Sequence, residues 1–291
     1  MAKISLLLPT RERLAKAQAF LQTVVETADD LSQVEVIATL DDDDTPSHTL
    51  TSPHQALALH KVIGPQATMG ALNTRCLKKA TGEILMLVND DILIRTKCWD
   101  TYLIEAAKKF PDGICMMHTR DGYKDASFPL FPILTQKGIE LIEDPYPSEY
   151  CGDCIDSHLF DIFLRLKDLG ENRIVYIPEV LFEHMHFSVG KAPIDALYQR
   201  RSRTRGNQTF YSYWKQREQI AQLLLAKIHG KEASLRPFSF IRQNSYFLLL
   251  KSFWQSQQTL NFRLKYFAYH LLRETYIRFR LDKIKAHLKK T

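Results

Sequence analysis

The stretch Glu83-Ile84-Leu85-Met86-Leu87-Val88-Asn89-Asp90-Asp91 passes through five consecutive apolar side chains and stops in acids. A short unbroken apolar run bounded by polar residues marks a strand covered on both faces, because a strand with one wet face would alternate. The pattern occurs twice upstream. Ile4–Leu8 runs into Pro9-Thr10-Arg11-Glu12-Arg13, and Val34–Leu40 runs into Asp41-Asp42-Asp43-Asp44 and the turn formers Thr45-Pro46-Ser47. A shorter run, Lys61–Ile63, ends at Gly64-Pro65. Between the runs, Leu14, Ala17, Phe20, Leu21 and Val24 share one helical face, as do Ala71, Leu72, Cys76, Leu77 and Ala80 up to a stop at Gly82. Strands alternating with helices imply right-handed βαβ units and a mainly parallel sheet covered by helices, an α/β fold. In such sheets ligands bind beyond the carboxyl ends of the strands, so three polar clusters are expected to meet at one edge.

Downstream, the spacing predicts a helix over Trp99–Lys109, a strand over Gly113–His118, a Pro/Phe-rich connection at Phe128–Pro132 and a short helix over Gln136–Ile142. Turn-rich Asp144–Tyr150 precedes Cys151-Gly152-Asp153-Cys154, then a helix over Ser157–Leu169 and a strand over Ile174–Ile177 closed by Pro178. A boundary is expected between Gly190 and Arg205, where Lys191, Arg200, Arg201, Arg203 and Arg205 surround few apolar residues.

With 45% hydrophobic and 25% charged residues, 11 Gly and 12 Pro in 291, the chain is neither disordered nor collagen-like. Five cysteines are too few and too odd for a disulfide scaffold, and Ile4–Leu8 is too short for a leader peptide, so the cytoplasm is the expected compartment. No stretch reaches the roughly 18 uninterrupted apolar residues of a membrane span. Charge is segregated: residues 236–291 hold twelve Lys and Arg against two acids, a net +10, which leaves −4 for the other 235.

Asn89-Asp90-Asp91 at a rigid strand end suits Mg²⁺ or Mn²⁺, which take one or two carboxylates and leave positions open for substrate phosphates. A polar strand end or a helix cap is the alternative. Taken with Pro9-Thr10-Arg11, the Asp run, Gly70-Ala71-Leu72-Asn73, Ala80-Thr81-Gly82-Glu83-Ile84-Leu85, Gly152-Asp153 and Pro178-Glu179-Val180-Leu181-Phe182-Glu183-His184, the ordered set resembles a GT-A-fold glycosyltransferase of the family-2 type over residues 3–187.

The resemblance implies a GT-A-like (Rossmann-like) catalytic region over 1–190; composition and helical spacing, not the resemblance, mark a linker with a helix over 191–235 and a basic, aromatic, helical region over 236–291. It implies that Pro9, Thr10 and Asp42 contact the base and ribose of a UDP- or GDP-linked sugar, with Arg11, Arg13, Asp43, Asn73 and Asp90 on the same donor side. Asp91 corresponds to the direct metal ligand of the family's Asp-X-Asp motif, here with Asn at the first position. His184 corresponds to the histidine that completes the metal site; His186 would share its face if the strand continues and stays a second candidate. Asp153 corresponds to the general base of inverting members, which takes the proton of an acceptor hydroxyl as its oxygen attacks the anomeric carbon. Gly, not the usual Glu, precedes it, and Arg165 lies further away than the family's Arg, so Asp156 competes for the role. Both acids could instead cap the helix that follows.

Cys151 and Cys154 also permit a redox pair, or a zinc site with His184 and His186. The tail mixes its cations with twelve aromatics between Phe238 and Phe279. Leu260, Leu264, Phe267 and Leu271, then Ile277, Leu281, Ile284 and Leu288, recur at helical spacing. Such helices could lie on an anionic membrane near a glycan or lipid-linked acceptor, pack on the catalytic domain, or pair with a second copy of the chain. Nucleic acid is not expected, since no binding motif is recognisable. Competing functions are a nucleotidyltransferase, disfavoured by the absence of Gly in Pro9–Arg13, and a nucleotide-sugar-binding module without turnover.

Overall fold

The computed structural model describes residues 4–193 and 203–279. The chain forms two compact units, residues 1–149 with 173–199 and residues 150–172 with 200–291. Tyr150–Asn172, which the sequence reading places within the first region, is therefore grouped with the C-terminal helices.

The first unit is built on an eight-stranded sheet of order β3-β2-β1-β4-β7-β6-β8-β5. Its strands are β1 (Ile4–Thr10), β2 (Val34–Asp41), β3 (Ala58–Gly64), β4 (Ile84–Leu87), β5 (Ile92–Ile94), β6 (Met116–Arg120), β7 (Ile133–Thr135) and β8 (Ile174–His184). Its helices are α1 (Leu14–Thr27), α2 (Met69–Leu77), α3 (Trp99–Lys108) and α4 (Gln136–Ile142). β3-β2-β1-β4 is wholly parallel, as the apolar runs require. Beyond β4 the sheet is mixed, since β7 is antiparallel to β4 and β6, and β5 to β8. Every residue of β1 and β2 is buried, which explains why neither alternates.

Pro9 lies inside β1, where pairing with β4 has already ended at Leu7–Leu87, so its missing N–H leaves no ladder bond open on that side. Gly82 serves less as a helix stop than as a close approach: a Cβ there would lie 2.6 Å from Ser5 Oγ. Ser5 and Thr81 donate to the buried Glu35 carboxylate, and this fixes the entry to β4.

Pro178 does not close the last strand. β8 continues to His184, and the chain slips between the Thr119–Ile177 and Arg120–Leu181 pairs, which leaves Pro178 in a bulge where no donor is needed. This extension carries His184 opposite Ile92, directly after Asp91.

The second unit consists of α5 (Ile155–Asp168), α6 (Arg203–Ser212), α7 (Trp214–Ile228), α8 (Ser245–Gln255) and α9 (Leu260–Arg278). α5 begins two residues earlier than the spacing predicts, after Cys154 in a left-handed conformation with φ 73°. Its core contains ions. Asp161 Oδ2 accepts from Arg165 Nε at 2.7 Å and Arg217 Nε at 2.6 Å, and Arg165 also donates to Glu218 at 2.9 Å, all four side chains being buried. The second predicted tail helix, marked by Ile277 to Leu288, lies mostly outside the described residues.

Candidate functional site

Within the sheet unit, four strand ends deliver the polar groups. β4 runs into Asp90 and Asp91, both buried. Asp90 is gripped at each oxygen: Thr10 Oγ1 donates to Oδ2 at 2.8 Å and an Arg13 guanidinium N–H donates to Oδ1 at 2.9 Å. Burial pushes the Asp90 pKa up, Arg13 opposes that rise, and the neighbouring charge of Asp91 adds to it. Thr10 and Arg13, expected on the donor, are here the residues that orient this acid.

Asp91 points the other way. Its Oδ1 lies 3.4 Å from His184 Nε2, and its backbone carbonyl accepts from Met185 N at 2.8 Å. His184 is held by its own N–H, which donates to the Asp121 carbonyl at 2.9 Å, and by the edge of the Phe131 ring. Although the His184 ring is buried, neither of its nitrogens makes a hydrogen bond. A buried carboxylate and an imidazole with uncommitted nitrogens form a donor set that fits Mn²⁺ or Mg²⁺ shared with phosphate oxygens. His186 is placed differently: its Nδ1 accepts from Ser188 N at 3.1 Å and its ring stacks on Tyr123.

The four aspartates after β2 divide by position. Asp41 and Asp44 are buried, while Asp42 and Asp43 are exposed. Arg11 bridges the first and third, donating to Asp41 Oδ2 at 2.9 Å and to Asp43 Oδ2 at 3.0 Å. The Arg11 hydrogen bond holds Asp43 below the usual carboxylate range. Asp44 accepts from Glu12 N at 2.6 Å, which fixes Glu12 at φ 55°. Asp42 donates its N–H to the Gly64 carbonyl and leaves its carboxylate exposed. Pro9 is buried within β1, and Asn73 is buried on α2. Sequence reasoning passed over Asp41 and Asp44; the only available signal was strand alternation across identical residues.

In the helical unit, Asp153 and Asp156 flank Cys154. Asp153 packs close to Gly206, where an added Cβ would lie 3.0 Å from the Asp153 Cβ. Asp156 Oδ1 accepts from Ser157 N at 2.6 Å at the start of α5, and burial raises its pKa to about 6. Cys154 faces Arg273 at 3.3 Å and Asn207, and burial pushes its thiol up to about 12. A zinc site needs thiolates, and among the described residues no three His, Cys, Asp or Glu side chains gather to hold a metal. All five cysteines are free, so the redox pair is not closed either. Arg165, weighed as a base partner, is instead enclosed in the ion cluster with Asp161, Arg217 and Glu218.

No protein-family model matches the sequence, and no curated protein matches it closely enough to count as a relative. Solved structures do share its fold. A mannosyltransferase, PcManGT from Pyrobaculum calidifontis, solved with GDP-Man and Mn²⁺, aligns at 17% identity and TM-score 0.51, covering 98% of this chain and 79% of its own. S. aureus TarS 1-349 in complex with UDP-GlcNAc aligns at 14% identity and TM-score 0.52, covering 78% of this chain and 73% of its own. The chain has the GT-A-like α/β fold that the sequence resemblance implies.

Proposed function

We propose that the protein is a glycosyltransferase that moves a sugar from a UDP- or GDP-linked donor to a hydroxyl of a glycan or lipid-linked acceptor in the cytoplasm, with inversion. The observation that carries this reading is the split between the two acids after β4, with Asp90 locked by Thr10 and Arg13 while Asp91 faces His184. Locking the Asp90 carboxylate holds the strand end that carries Asp91. Asp91 and His184 would hold Mn²⁺ or Mg²⁺, which supplies the positive charge that lets an acidic strand edge accept a diphosphate and stabilise its departure. The exposed carboxylate of Asp42 is offered to the base and ribose, and the Arg11 bridge keeps the loop carrying it in place.

Asp153 is the base we assign, with Asp156 the competitor. A base must be ionised to accept a proton, so if Asp156 acts, kcat/KM rises with pH through about 6. Asp153→Asn abolishes transfer while nucleotide binding stays near that of the unaltered protein. Normal turnover of Asp153→Asn, with loss in Asp156→Asn, moves the role to Asp156; normal turnover in both removes a carboxylate base from the account.

A further inference from the structure

Helix α9 fully buries only polar side chains. Its two buried side chains are polar, His270 and Glu274, while Leu260, Leu264, Tyr269, Leu272 and Phe279 are exposed. The predicted apolar row is divided, with Leu260 and Leu264 exposed and Phe267 and Leu271 half-buried. Glu274 is satisfied inside by Asn207 Nδ2 at 3.0 Å and Arg278 at 3.2 Å, and burial lowers the His270 pKa to about 3, which keeps the ring neutral. Polar contacts and half-buried Phe267, Leu271 and Ile277 hold the inner side of the helix, and a further set of apolar side chains stays outside. α8 packs against α9 and shows a second apolar stripe. Phe247, Leu250 and Trp254 are exposed at positions i, i+3 and i+7, with Lys251 among them, opposite the buried Leu248, Leu249 and Ser252. Exposed apolar stripes on two helices packed against each other mark a surface that something covers.

Charge selects what covers it. Between Arg236 and Phe279 the only acid is Glu274, and it is fully buried, so this segment presents no negative charge to solvent. Arg236, Arg242, Lys251, Lys265 and Arg278 are exposed on the same segment. A second copy of the chain docked face to face would set these cations against each other with no acid from the segment to answer them. Leucines and aromatics interleaved with exposed Lys and Arg suit the boundary between acyl chains and anionic headgroups. We infer that α8 and α9 form a docking surface for an anionic phospholipid bilayer, entered by Phe247, Leu250, Trp254, Leu264 and Leu272 and attracted by the surrounding cations.

Trp254 supplies the readout. Trp99 and Trp214 are buried, whereas Trp254 is 75% exposed, so acrylamide quenching reports mainly on Trp254. The full chain is mixed with vesicles of phosphatidylcholine and phosphatidylglycerol at low salt. The expected result is a blue shift, protection from quenching and co-flotation, all reversed by high salt and absent with phosphatidylcholine alone. Lys251→Gln weakens partitioning about fivefold, the share of one cation near an anionic surface. Leu250→Ser, Trp254→Phe and Leu272→Ser test the apolar part separately, by flotation. Combining Leu250→Ser with Leu272→Ser lowers partitioning by roughly tenfold or more, with an unchanged melting curve because both positions are exposed. The proposal is overturned if the unaltered protein ignores anionic vesicles, if neutral vesicles bind equally, or if the double substitution leaves binding intact. It is equally overturned if those substitutions abolish a dimer, or an RNA complex, in a protein that does not float. None of these outcomes depends on catalysis, so the inference stands or falls apart from the proposed reaction.

Discussion

In the sheet unit, β1 and β2 are buried throughout and the charges gather at strand ends; in α9 of the helical unit, His270 and Glu274 are buried while Leu264 and Leu272 face solvent. The first arrangement uses apolar burial for stability and leaves charged groups at the edge for chemistry. The second uses charge internally, through Asp161, Arg165, Arg217 and Glu218, and leaves apolar groups exposed. The cost of error differs accordingly. Removing one member of a buried ion cluster strands its partners in low dielectric, whereas trimming an exposed leucine strands nothing.

The largest effect is therefore expected from Arg217→Ala, which leaves the Asp161 carboxylate with Arg165 and removes one of the donors to the Phe210 carbonyl. Urea unfolding should show a loss of about 3–5 kcal/mol. The cluster also predicts acid sensitivity. Burial alone would raise the Asp161 pKa, but Arg165 and Arg217 outweigh it and lower it to about 2. A folded pKa below the unfolded value means the stabilisation is complete above about 4 and is lost as pH falls toward 2. A melting temperature that stays flat from about pH 5 to 2 would speak against the cluster.

A smaller effect is expected from Arg13→Met. Asp90 would keep Thr10 and lose the Arg13 guanidinium, at about 1–3 kcal/mol for an unsatisfied buried oxygen. Metal-dependent nucleotide binding should weaken more than the melting temperature falls, because the released carboxylate no longer orients Asp91. Equal losses in Arg13→Met and in a substitution remote from the strand ends would make Arg13 merely structural. The smallest effect is expected from Leu272→Ser, within about 0.5 kcal/mol of the unaltered stability. A large destabilisation there would mean the α9 face is covered in the isolated protein.

How far the sequence disclosed this arrangement follows the same division. The parallel half of the sheet was legible because β1, β2 and β4 are continuous apolar runs that end in turn formers or acids. β5 and β7 were not, because three residues cannot display a period. β8 was cut short at Pro178, since its bulge depends on a partner strand 55 or more residues away in sequence. Asp91 and His184 were legible as candidates, and the structure brings them together. The grip of Thr10 and Arg13 on Asp90 was not, because it spans about 80 residues and neither partner has an unusual neighbourhood in sequence. In α9, leucine spacing located only part of the inner side, Phe267 and Leu271; burial of His270 and Glu274 depends on Asn207 and Tyr211 in α6, which no local pattern reports.

The most direct test of the account is the melting temperature of the full chain with UDP- and GDP-sugars, each with and without Mn²⁺, for the unaltered protein and Asp91→Asn. A ligand present at about 100 times its Kd stabilises the native state by about 2.7 kcal/mol. The account predicts that at least one nucleotide sugar raises the melting temperature only with the metal, and that Asp91→Asn, itself folded, loses the rise. No response to any nucleotide sugar, or an equal rise in Asp91→Asn and in EDTA, would contradict it.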